Sequence, residues 1–252
     1  MTLTFVALSV AAGSVGFIHT VAGPDHYLPF VVMARARNWS GRKTAAITFL
    51  CGLGHIASSV ILGLIGIALG VALTGLGGSN SAYEAYELLP DWMKSAEGIR
   101  GGIAAWLLIV FGLLYFAWGL RRAIRNRPHT HRHFHAGGTN HEHDHSHDGG
   151  HVHPHEANGK RLTPWILFTI FVFGPCEPLI PLVIAGAMLG PWTAAAVTLI
   201  FGGITIATML GIVMLGTFGL KLFPTRLLDR YSHALAGATI CLCGVGIVFL
   251  GM

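Results

Sequence analysis

Six side chains that could bind a metal stand inside apolar stretches, where unpaired polar groups are costly. His19, Asp25 and His26 fall within eight residues of one another, His55 follows in the next apolar run, and Cys176 and Glu177 lie in a later one. Asp25 and Glu177 are the only two of the 11 acidic residues inside apolar segments. A carboxylate at mid-bilayer costs roughly 2.5–3.5 kcal/mol on insertion scales, so its presence there calls for a function. No Lys or Arg is expected within a span to pair with either acid. Both acids follow a Gly-Pro pair, in Gly23-Pro24-Asp25-His26 and in Gly174-Pro175-Cys176-Glu177. Proline removes an amide donor and glycine permits unusual dihedrals, so each pair should break a helix and open its backbone and side chains to a cavity. Imidazole and carboxylate together suit Ni²⁺, Co²⁺, Zn²⁺, Fe²⁺ and Mn²⁺, whereas a thiolate favours softer ions. For Cys176 two readings stand side by side: a metal ligand, or a small residue that permits a tight turn.

A second histidine population is of another kind. His129, His131, His133, His135, His141, His143, His145, His147, His151, His153 and His155 make 11 histidines in 27 residues, interleaved with Glu142, Asp144 and Asp148. Such a stretch cannot form an apolar core and is expected to be disordered without ligand. Its composition reads as metal-binding.

These groups must be positioned by membrane helices. The chain of 252 residues is 53% hydrophobic and 11% charged, with a mean hydropathy of +0.62. Soluble domains carry about 25% charged residues, so this composition excludes an ordinary soluble domain, a disordered chain and a disulfide scaffold. Net charge is +5, but the basic residues lie in short loops between apolar runs, which points to membrane topology rather than to nucleic acid. Cys51, Cys176, Cys241 and Cys243 all sit in apolar stretches without a C-x-x-C pair, so no zinc ribbon is expected. Met1 to Phe5 carries no basic residue, and the first apolar segment reads as a retained helix.

Six spans are predicted: Leu3 to Ala34, Thr44 to Leu73, Gly102 to Leu120, Leu162 to Leu189, Trp192 to Leu215 and Ala234 to Gly251. Each meets the roughly 20 apolar residues that a bilayer needs. Of the 16 Lys and Arg residues, 14 fall in the loops after spans one, three and five. The positive-inside rule puts those loops in the cytoplasm of a cell (inner) membrane protein, with both termini outside. An interfacial helix is expected in the external loop from Thr74 to Ile99.

The chain also repeats itself. The two Gly-Pro breaks correspond, Gly52 to Ser58 aligns with Gly202 to Thr208, and Gly112 and Gly119 match Gly244 and Gly251 at the same spacing of seven. The predicted fold is therefore all-α and integral to the membrane, six transmembrane helices in a 3+3 inverted repeat with proline-broken first and fourth helices. Residues 1–120 form the first repeat, 121–161 the His-rich cytoplasmic loop and 162–252 the second repeat. Inverted repeats with broken helices are a transporter signature, with the site where the breaks meet.

The segment Gly16-Phe17-Ile18-His19-Thr20-Val21-Ala22-Gly23-Pro24-Asp25-His26 resembles the first signature of the nickel/cobalt transporter superfamily, in the form carried by its NicO-type and urease-accessory (UreH-like) permeases. Gly52 to Ser59 resembles that group's second-helix Gly-His motif, and the His-rich loop resembles that of its efflux members. The resemblance implies metal ligation by His19, Asp25, His26 and His55, and transport of Ni²⁺ or Co²⁺ without enzymatic activity. No cofactor is expected beyond the transported metal, with Zn²⁺ a further candidate cargo. The expected partners are the metal ions and the lipid bilayer, not nucleic acid; a homo-oligomer is compatible with the chain, and direction is left open. The broken six-span pattern also resembles the wider lysine-exporter and cytochrome-c-biogenesis superfamily. Its thiol–disulfide relays supply the competing function, which would have to use Cys176 with Cys51.

Overall fold

The computed structural model describes residues 2–74, 96–125, 129–134, 140–145, 159–174, 176, 178–221 and 226–250. Its helices are α1 (Thr2–Ala22), α2 (Leu28–Ala36), α3 (Gly41–Thr74), α4 (Ala96–Arg125), α5 (Gly159–Phe173), α6 (Leu179–Leu189), α7 (Pro191–Lys221) and α8 (Arg226–Leu250), with a 3-10 turn at Pro24–His26. Five of these, α1, α3, α4, α7 and α8, are long and apolar enough to cross a membrane, while Thr163–Phe173 and Leu179–Leu189 are shorter apolar helices. Large apolar side chains face outward along them, among them Leu114, Trp192, Leu199, Leu215, Leu242 and Phe249. In water this surface would drive aggregation; against lipid it carries no penalty. The protein is helical and of membrane character.

The two proline breaks appear where the sequence puts them. α1 ends as Gly23 N–H donates to His19 O at 3.0 Å, and Pro24 supplies no amide to continue the ladder. A single tight turn follows, in which His26 N–H donates to Gly23 O at 3.0 Å. Pro29 sits in the first turn of α2, where a missing N–H is harmless. At the second break α5 stops after Phe173, Gly174 N–H donates to Ile170 O at 2.9 Å, and Leu179 N–H donates to Cys176 O at 3.0 Å as α6 begins. α6 turns directly into α7 at Gly190, whose φ of 128° favours glycine.

Small residues set the helix contacts, and those contacts are reciprocal. A Cβ placed on Gly52 of α3 would lie 3.2 Å from Ile206 Cγ1, and one placed on Gly202 of α7 would lie 3.1 Å from Ile56 Cγ2. α4 and α8 run antiparallel: Gly112 meets Cys241, Gly119 meets Ala234 and Gly244 meets Ile109. Gly237 abuts the backbone of Phe116, leaving no room for any side chain. Gly237→Val should therefore lower the melting midpoint of the detergent-solubilised protein, by about 1–3 kcal/mol of overpacking or more. Gly203→Ala, at a position with nothing within 4 Å, should leave it unchanged. Equal midpoints would refute this close contact.

Three expectations need correction. Helix α4 begins at Ala96 rather than Gly102, so Arg100 lies within an apolar span, Ile99–Arg125. A basic residue is thus present where none was expected, because the preceding acidic loop masked the helix start. The His-rich stretch is not wholly irregular: His129–Phe134 and Asn140–His145 pair as antiparallel strands, with His129 opposite His145, His131 opposite His143 and His133 opposite His141. Alternating residue types have the period of a strand, which the reading from composition overlooked. Helix α8 starts at Arg226, so His233 belongs to a helix rather than to its preceding loop.

Candidate metal centre

The first break folds its own side chains together. His26 Nδ1 lies 3.2 Å from Asp25 Oδ1 and 3.2 Å from Gly23 O. A Cβ on Gly23 would come within 2.6 Å of that nitrogen, so glycine is required here for the turn to close on the ring. α3 brings His55 alongside, its Nδ1 3.3 Å from Phe171 O of α5. The rings of His19 and His26 have centroids 4.6 Å apart, and those of His26 and His55 5.2 Å apart. One ligand atom from each of His19, His26 and His55 lies within 4.8 Å of the others.

These partners decide the chemistry. A carbonyl oxygen can only accept, so Nδ1 is the protonated nitrogen in both His26 and His55. Their Nε2 atoms keep a lone pair. Both Nε2 atoms are buried and have no hydrogen-bond partner among the described residues. An unanswered buried polar atom costs about 1–3 kcal/mol, and two on rings whose centroids are 5.2 Å apart invite a shared cation. Holding Nδ1–H on a carboxylate or a carbonyl while Nε2 faces the metal is the usual outer-shell arrangement of metal-binding histidines. Around one ion with bonds of 2.0–2.1 Å, tetrahedral nitrogens stand about 3.3 Å apart. Binding would thus draw the widest pair together by up to roughly 1.5 Å.

His19, Asp25, His26 and His55 line a cavity of about 740 Å³. Gly101, Gly102, Ala104 and Ala105 of α4 line it too, with Phe171, Gly174 and Pro178 around the second break. The cavity therefore lies where the two breaks approach each other.

Of the residues singled out from the sequence, His19, His26 and His55 converge. Asp25 stands against His26, on the Nδ1 side of its ring. Cys176 is fully buried and its Sγ lies 3.9 Å from His19 Nε2. Glu177 falls outside the described residues, as do His135, His147, His151, His153, His155 and the external loop's expected helix.

Two groups were missed. Arg100 donates to Ser59 Oγ at 2.7 Å and to Gly174 O at 3.0 Å, and the same Ser59 Oγ accepts from Cys176 N–H at 3.2 Å. α4 and α3 thereby hold the second break from behind. Fifteen residues along α4, about 22 Å away at 1.5 Å per residue, Tyr115 hydroxyl lies 2.8 Å from His233 Nδ1 and accepts from Arg37 Nε–H at 3.1 Å. Arg37 also donates to Thr163 Oγ1 at 2.8 Å, tying α4, α5 and α8 to the end of α2. The i, i+3, i+7 recurrence of Tyr115, Trp118 and Arg122 was the available signal for this second cluster. Comparison of the chain with protein-family models, with curated proteins and with solved structures gives no match.

Proposed function

We propose that the protein carries a divalent transition-metal ion, Ni²⁺ or Co²⁺, across a membrane through the site formed by His19, His26 and His55. One observation carries this reading: two imidazoles whose tautomers are set by backbone and carboxylate partners leave orphaned, buried Nε2 atoms beside a third histidine at the wall of an inter-break cavity. A structural histidine in an apolar core would have both nitrogens answered.

The architecture proposed around it has six spans. α1, its turn and α2 make one broken span, α5 and α6 make the fourth, and two three-span units face each other as inverted copies. The exchange of Gly52–Ile206 against Gly202–Ile56, and of Gly112–Cys241 against Gly244–Ile109, supports this, because a two-fold relation makes each contact occur twice. Movement of one unit against the other would then open the site to alternate sides. The distribution of Lys and Arg supports a cytoplasmic His-rich loop in a cell (inner) membrane and external termini. In this reading the loop concentrates metal at the cytoplasmic mouth, and no enzymatic step or resident cofactor is involved. The motifs around His19 and His55 support membership in the nickel/cobalt transporter superfamily.

A thiol–disulfide relay would need Cys51 and Cys176 to approach within bonding distance. Cys51 packs in the cluster around Phe30 and Met209, whereas Cys176 packs in the cluster around Leu179 and Phe201. That separation favours the metal reading.

Cellular nickel and cobalt, measured with and without expression of the protein, test it. Lower content indicates export and higher content uptake. Unchanged content of both metals, with the protein correctly inserted, would overturn the proposal.

A further inference from the structure

Three histidines leave a metal ion short of a fourth protein donor. The second break presents one. Cys176 is entirely shielded from solvent, and its Sγ is 3.9 Å from His19 Nε2. A tetrahedral ion with metal–nitrogen bonds of 2.0–2.1 Å and metal–sulfur bonds of 2.3 Å holds nitrogen and sulfur about 3.6 Å apart. The observed separation is therefore within a few tenths of an ångström of the bound spacing, closer to its target than the histidine group at its widest. His26 and His55 form one group with His19, and each carries an orphaned Nε2. The sulfur stands outside that group, beside His19, and would have to close on the other two rings as the ion binds.

The thiol is also positioned. Its own backbone N–H is held by Ser59 Oγ, and Arg100 fastens both that hydroxyl and Gly174 O. These bonds fix the break on either side of residue 175 without using the sulfur. Cys176 does not line the cavity, whereas the three histidines do, so an ion shared by all four would sit at the cavity wall between imidazoles and sulfur.

We propose that Cys176 is the fourth ligand, giving a His₃Cys site that selects tetrahedral, borderline-soft Co²⁺ and Zn²⁺ over Ni²⁺. This rests on the metal-carrier reading, keeps Co²⁺ from its two cargoes in place of Ni²⁺, and adds Zn²⁺. Ni²⁺ favours square-planar or six-coordinate nitrogen and oxygen sets, whereas a single thiolate among imidazoles suits four-coordinate Zn²⁺ and its cobalt substitute. As the metal–sulfur bond forms, the S–H bond breaks and its proton leaves to solvent through the cavity. No oxidation state changes.

The full-length protein, purified and titrated with Co²⁺, provides the test by absorption. The wild type should develop a near-ultraviolet sulfur-to-cobalt charge-transfer band together with the intense visible bands of four-coordinate cobalt. The His-rich loop contains no cysteine, so cobalt held there adds no such band. Cys176→Ser should lose the band and bind Co²⁺ about tenfold more weakly or worse, while Cys51→Ser should keep both. In competition, Zn²⁺ should displace Co²⁺ at lower concentration than Ni²⁺ does. A band that persists in Cys176→Ser, or a wild type that fills its membrane site without one, would overturn the sulfur assignment. Counting bound cobalt in the wild type against His55→Ala separates the two claims. One ion more in the wild type but no sulfur band defeats only the inference, whereas equal counts defeat the site itself and the inference with it. The wild-type titration decides the matter even if the serine variant fails to fold.

Discussion

His55→Ala should remove one tightly bound divalent ion per chain and reduce metal transport to the level of cells lacking the protein. The ring is 3% exposed, and its Nδ1–H is anchored on Phe171 O. The carbonyl thus fixes the tautomer and leaves Nε2 free to meet an ion, on a ring whose centroid is 5.2 Å from that of His26. Loss of one of three imidazoles should weaken Co²⁺ binding by more than about a hundredfold, roughly 2.8 kcal/mol at 1.4 kcal/mol per factor of ten. His233→Ala is the matched control. That ring is also in a helix and also bonded, but to Tyr115 in the cluster about 22 Å along α4, and its loss should leave the bound-ion count unaltered. Isothermal titration of both variants, with melting curves to establish folding, reads the difference. An undiminished count in His55→Ala would remove His55 from the site.

The second large effect is expected at Asp25, and here two substitutions distinguish two roles. Oδ1 stands 3.2 Å from His26 Nδ1, the position of a group that orients a ligand. Asparagine retains a carbonyl oxygen that can accept the same N–H bond but loses the charge. Alanine loses both. Disturbing such an outer-shell partner typically costs ten- to a hundredfold in metal affinity. Asp25→Asn should therefore weaken binding by about tenfold and Asp25→Ala by about a hundredfold. A direct carboxylate ligand would behave otherwise, since neither substitute binds a transition ion as a carboxylate does, and the two variants would then be equally damaged. Measured Co²⁺ affinities of the pair, side by side, separate the roles.

Much of this protein follows from residue order alone. Long apolar runs with so little charge leave a helix as the only way for a backbone to satisfy itself in lipid, and α1, α3, α4, α7 and α8 lie where those runs are. The breaks at Gly23-Pro24 and after Phe173 are equally local, since proline withholds its amide from the helical ladder whatever surrounds it. The proximity of His26 to Asp25 is adjacency in the chain made useful by one turn. Even the correspondence of Gly112 in α4 with Gly244 in α8 was visible before their contacts with the facing helix were. The strand pairing within the His-rich stretch was written there as well, in an alternation of period two that composition alone does not register.

Tertiary structure decided what these pieces do to one another. His55 belongs to the site only because α3 packs beside α5, which supplies the carbonyl of Phe171 that fixes its tautomer. Cys176 and His19 are 157 positions apart, and no periodicity links them. Arg100 reads in sequence as one more charge at the edge of an acidic loop, yet it reaches Gly174 and Ser59 inside a span. The physical reason is common to all three. Helix formation is governed by bonds within a few residues, whereas the atom that a buried nitrogen, sulfur or guanidinium meets depends on which helix faces lie together, and that is a property of the packed whole.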